Sequence, residues 1–88
     1  MIKSSYKKAV PDMKGTGQKI KTVMEQKGIT PRQVQARLGF PYVQTIYNWF
    51  AGKNMPSLDN LLALESILGV KLDDLVAKGT VPFEYEEE

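Results

Sequence analysis

The sequence predicts a compact all-α domain of five short helices. Three observations predict it. Apolar residues recur at spacings of three and four along most of the chain. Glycines at 28, 39, 52, 69 and 79 close those recurrences one after another. Two of the segments open on residues suited to cap a helix. At 88 residues the chain holds one domain at most, near the size where a single core is only marginally stable. Strand signal is almost absent between residues 15 and 79, the span expected to form the domain.

The elements follow in order. Residues 1–14 have no clear period and contain Pro11, so they read as a flexible basic N-terminal arm. The first helix is expected from about Thr16 to Lys27, where Ile20, Val23 and Met24 make one stripe and Gly28 ends it. The second carries the clearest local signal, "ITPRQV". Thr30 is the cap, Pro31 fits the first helical position, and Gln33 completes a capping box. Ile29 and Val34 stand at the two positions of a hydrophobic staple, and the helix runs through Leu38 to Gly39.

The third helix, about 42–51, follows "GFPY". With Ile46 at the origin and about 100° per residue, Val43, Trp49 and Phe50 fall within about 60° of it. Gln44, Asn48 and Ala51 fall on the far side, with Thr45 and Tyr47 on the flanks. The fourth starts at the cap Ser57 with Asp59 in its first turn, and is apolar over much of its girth through Leu61, Leu64 and Leu68. The fifth spans about Leu72 to Lys78, with Asp73 and Asp74 early and Lys78 late, as the helix dipole favours. Residues 80–88 read as an acidic C-terminal tail in which Val81, Phe83 and Tyr85 alternate and could dock on the body.

Composition removes several functions. There is no cysteine and no histidine, so disulfides, thiolate metal sites and the commonest general base are missing. No paired carboxylates stand in a plausible cleft. We therefore expect no enzyme, no metal, no cofactor and no small-molecule substrate. No apolar run approaches the ~20 residues of a membrane span, and the first residues lack the apolar stretch of a signal peptide. A cytoplasmic protein without membrane contact is expected. Net charge is +2, but its distribution is uneven. Lys3, Lys7, Lys8, Lys14, Lys19 and Lys21 crowd the first quarter, and Glu84, Glu86, Glu87 and Glu88 crowd the end. Without those four acids, twelve basic residues face six acidic ones, a balance of +6. Such a body suits a polyanion, or is a soluble domain with ordinary charged ends.

The ordered segments "GQKIKTVMEQKGIT", "ARLGF", "TIYNWFAGKNMPSLDNLLALESILGV" and "LDDLV" resemble the phage-repressor or Cro-type helix-turn-helix family, often called Xre-like. The resemblance covers about residues 16–78. It implies a five-helix, lambda-repressor-like DNA-binding domain whose second and third helices form the helix-turn-helix, with the third in the major groove. It implies a transcriptional regulator, repressor-like, that binds double-stranded DNA sequence-specifically in a bacterium or phage, commonly as a homodimer on a two-fold operator. The alternative is a protein-interaction module on the same fold, such as an antitoxin-like or phage accessory protein.

Mapped onto this chain, the family's base-reading positions are Val43, Gln44 and Asn48, with Thr45 nearby. Gln and Asn amides pair a donor with an acceptor and match adenine N6 and N7, while Val43 suits a thymine methyl. Without the resemblance, Gln44 and Asn48 read first as a solvated helix face. Phosphate contacts map onto Thr30, Arg32 and Gln33 at the start of the second helix, onto Lys53 and Asn54 after the third, and onto the Tyr47 hydroxyl.

Three positions depart from the family. Gly39 to Gly52 is one residue longer than many members, and Gln35 stands where many have Ala; we expect the longer turn and the larger residue to belong together. Met24 and Phe50 replace a common Arg–Glu pair, so an apolar contact is expected there. Pro31 replaces a common Gln, which removes one side-chain phosphate contact and leaves Arg32 to substitute.

Overall fold

The computed structural model describes residues 2–87; Glu88, the last acid of the tail, lies outside them. Its elements are β1 (Ile2–Asp12), α1 (Met13–Lys27), α2 (Pro31–Leu38), α3 (Gln44–Phe50), α4 (Leu58–Leu68), α5 (Leu72–Leu75) and β2 (Ala77–Glu87). The five helices are present, but the chain is not all-α. The two eleven-residue ends pair as an antiparallel sheet in register from Ile2↔Glu87 to Asp12↔Ala77. The segments read as arm and tail are thus the two strands of one ribbon.

Local chemistry sets the helix ends. The Asp12 carboxylate accepts from Gly15 N–H at 3.1 Å, so α1 begins three residues before the expected Thr16. Thr30 and Gln33 close the capping box of α2: Thr30 Oγ1 accepts from Gln33 N–H at 3.2 Å, and Gln33 Oε1 accepts from Thr30 N–H at 2.9 Å. Ser57 Oγ accepts from Asn60 N–H at 3.4 Å to open α4. The fifth helix stops at Leu75 rather than Lys78. There Val76 turns extended, and Ala77 N–H is taken by the hydroxyl of Thr16 at 3.0 Å. That bond satisfies a fully buried Thr side chain and fixes where β2 leaves the body.

The core is one cluster. Ile20, Val23 and Met24 of α1 meet Val34 of α2, Ile46 and Trp49 of α3, Leu61, Leu64 and Leu68 of α4, and Leu75 of α5. Burying aliphatic and aromatic side chains of this kind stabilises by about 1.5–3 kcal/mol each. Lys19 Nζ lies 3.0 Å from the Asp73 carbonyl oxygen and 3.1 Å from that of Val76, tying α1 to the negative end of α5. Among the described residues no helix is long and apolar enough to cross a membrane.

The ribbon stands out from this body. The long axis measures 54 Å, and the radius of gyration is 16.2 Å, against about 12 Å for a compact chain of this length. Strand pairing places Tyr6 opposite Phe83, with ring centroids 5.6 Å apart, and Lys8 lies over the Phe83 ring at 5.2 Å. An exposed ion pair joins Lys3 to Glu84 at 3.8 Å. The charges cancel. The two strands hold Lys3, Lys7, Lys8 and Lys78 against Asp12, Glu84, Glu86 and Glu87, which is zero. Residues 13–76 hold eight basic and five acidic side chains, or +3, so the positive excess sits on the helical body.

Candidate nucleic-acid interface

The pattern of α3 dictates two opposed faces, and the fold uses both. Ile46 is fully buried and Trp49 nearly so. Phe40, from the turn, packs edge-on against the Trp49 indole at 5.7 Å. On the outer side, Gln44 is exposed and Asn48 half-buried. Gln44 Nε2 donates to Asn48 Oδ1 at 3.0 Å, one helical turn apart. The pair leaves the Gln44 carbonyl oxygen as an acceptor and the Asn48 amide as a donor, side by side. Val43 caps the helix in a helical conformation without a side-chain bond and is half-buried, as is Thr45. α3 is therefore shorter than the expected 42–51 span, and Val43 sits at its start rather than inside it.

A side chain of α2 holds the turn between α2 and α3. Gln35 is half-buried, and its Nε2 donates to the Phe40 carbonyl oxygen at 3.3 Å, while Phe40 N–H donates back to the Gln35 carbonyl at 3.0 Å. The larger residue thus holds the first position of the longer turn. An alanine at position 35 would leave the Phe40 carbonyl without its partner.

The residues expected to contact phosphate lie at the start of α2, on α3 and in the turn after it. Thr30, Arg32 and Gln33 are exposed at the start of α2. The capping box occupies the Gln33 side-chain oxygen and the Gln33 N–H, and Pro31 has no N–H. The Arg32 N–H and guanidinium, the Thr30 hydroxyl proton and the Gln33 Nε2 amide are the donors left there. Lys53 and Asn54 are exposed, and their backbone N–H groups donate to the Asn48 carbonyl at 2.9 and 3.4 Å. Gly52, at φ +70°, permits that turn. Tyr47 is 47% exposed and packs edge-on over Phe50 at 5.9 Å. Tyr47 and Phe50 line a groove of about 410 Å³ with Met24, Ile29, Pro31 and Lys21; Met24 and Phe50 share its wall, where the replaced ion pair was expected to become apolar.

One positioning residue is missed by the sequence argument. Gly17, on α1, lies against the backbone of α3. A Cβ there would overlap the Trp49 carbonyl oxygen and stand 2.7 Å from the Trp49 carbonyl carbon and 3.3 Å from Phe50 Cα. Only a residue without a side chain lets α1 and α3 approach this closely. A glycine inside a helical period is the signal that could have found it.

The helix-turn-helix family matches residues 20–75. No curated protein sequence matches the chain. A candidate DNA-binding protein from Bacteroides fragilis is 27% identical, at a TM-score of 0.62, over 80% of this chain and 100% of that one. The restriction-modification controller protein C.AhdI from Aeromonas hydrophila is 22% identical, at a TM-score of 0.65, over 73% of this chain and 96% of that one. The DNA-binding domain of BldD is 19% identical, at 0.64, over 75% and 94%. These last two are likenesses of fold. With the match spanning well over half of its length, the chain belongs to the helix-turn-helix family of the Cro/C1 type.

Proposed function

We propose that this chain is a DNA-binding transcriptional regulator that places α3 in the major groove of a bacterial or phage operator. The observation that carries the reading is the outward amide pair, Gln44 and Asn48, on a helix whose opposite face is clamped by Ile46 and Trp49. Membership of the family and the likeness to a candidate DNA-binding protein support it. Gln44, Asn48, Thr45 and Val43 read base edges. Arg32, Thr30, Gln33, Tyr47, Lys53 and Asn54 hold phosphates and set the register. Binding draws on the +3 helical body, which acts as the DNA-binding unit in the cytoplasm, and two copies occupy a two-fold operator.

The test is selection from random duplexes at stated salt. A consensus with mirrored halves supports the reading; no enrichment over input overturns it. A second reading is a protein-interaction module. It is favoured by α3 itself, which carries no charge from Gln44 to Phe50, and by the apolar groove beside it. In that case selection fails while Tyr47→Ser or Phe50→Ser abolishes capture of a protein partner.

A further inference from the structure

The ribbon carries a surface that its own chain leaves uncovered. In this register the even-numbered residues of β1 share a face with the odd-numbered residues of β2. One face holds Ile2, Tyr6 and Val10 with Val81, Phe83 and Tyr85. The other holds Lys3 and Lys7 with Glu84, Glu86 and Lys78. The first face is mainly apolar, interrupted by Ser4, Lys8 and Glu87, yet the body touches the ribbon at its base, where Gly15 and Thr16 meet Ala77. Ile2, Tyr6, Val81, Phe83 and Tyr85 are all exposed. At 37–69% exposure, side chains of this size present on the order of 450 Å² of apolar surface in one patch. A two-stranded ribbon alone is marginal in water and gains stability from a third strand or a packing face.

We infer that the apolar face of this ribbon is where a second copy of the chain docks, giving a four-stranded sandwich centred on Tyr6, Phe83 and Tyr85. Edge-to-edge joining is disfavoured. Pro11 and Pro82 each remove a backbone donor from their strands, and β1 beside a second β1, or β2 beside a second β2, brings Lys to Lys or Glu to Glu. Face-to-face joining meets no such penalty. On that face Lys8 already lies over Phe83, and the Glu87 carboxylate already accepts from Ser4 Oγ and Tyr85 Oη, each at 3.2 Å. Two patches together bury roughly 900 Å² before their rims are counted, close to the ~1,000 Å² at which specific interfaces begin. The ribbon's zero net charge argues against a nucleic acid as the occupant. The inference adds to the proposed regulator the surface through which two copies join, and rests on that reading only for its use on a two-fold operator.

The test compares neighbours on opposite faces of β2, Phe83→Ser and Glu84→Ser, with the unaltered full chain, by sedimentation equilibrium without DNA. Trp49 fluorescence reports whether each helical body remains folded, since Trp49 is remote in sequence from both sites and buried in the core. The unaltered chain is expected to dimerise in the micromolar range, Phe83→Ser to weaken dimerisation at least about tenfold, and Glu84→Ser to leave it within about twofold. A monomer at ~100 μM, a dimer unaffected by Phe83→Ser, or a dimer lost equally in both variants overturns the inference. Failure of the DNA reading looks different: the dimer persists while no duplex is selected.

Discussion

Replacing Gly17 by alanine tests how α3 is held. On an exposed helix the change is stabilising, by about 0.5–1 kcal/mol, because alanine restricts the unfolded chain. Here the new methyl meets backbone. It would overlap the Trp49 carbonyl oxygen and stand 2.7 Å from the carbonyl carbon, against the 3.5–4.0 Å that carbon atoms prefer. The overlap with the carbonyl oxygen is the deeper of the two, so α3 must retreat by more than about 1 Å, and the neighbour that has to move is main chain, not a side-chain tip. Overpacking of this kind costs about 1–3 kcal/mol, occasionally more. Set against the helix-propensity gain, a net loss of about 1–2 kcal/mol is expected, or roughly 4–16 °C in Tm for a domain of this size. Urea denaturation followed by the single Trp reads it directly, because Trp49 is the residue being displaced. Base discrimination should fall as well, since the retreat moves the Gln44–Asn48 pair. A variant as stable as the unaltered chain, or more so, refutes the close approach of α1 and α3.

Three further outcomes are expected. Asn48→Ala removes one amide and leaves its Gln44 partner free; discrimination at one or two base positions should drop by about 1–3 kcal/mol, measured by competition between selected and single-mismatch duplexes, with stability little changed. Lys53→Ala should weaken all duplexes alike and reduce the slope of log affinity against log salt by about one; a sequence-dependent loss would move Lys53 to the base-reading set. Thr30→Ala opens the capping box at α2 and should cost about 0.5–2 kcal/mol in urea denaturation, whereas Thr30→Ser should keep most of it.

What the sequence made legible was local. Thr30, Pro31 and Gln33 announce a helix start within four residues, and the box forms as written. The positions of Ile46 and Trp49 on one arc place them in the core. The ribbon was not legible, because each of its pairs joins residues from opposite ends of the chain, and β1 does not alternate cleanly: Ser4 and Lys8 interrupt Ile2, Tyr6 and Val10. The alternation of Val81, Phe83 and Tyr85 was visible, but its partner was not. The same reason shortened the fifth helix: Val76 and Ala77 leave it for β2, toward a hydroxyl 61 positions earlier. In the candidate interface, the faces of α3 followed from periodicity, whereas the role of Gly17 depends on a distance between helices that no local pattern encodes.

The pairing of Ile2 with Glu87 brings the two ends of the described chain side by side. A joined Asn-Gly pair in place of residues 88 and 1 would make a two-residue turn that matches the strand twist there and convert the ribbon into a continuous hairpin. The polypeptide could then be reopened in an exposed loop whose backbone caps no helix, to give a circular permutant of the same architecture.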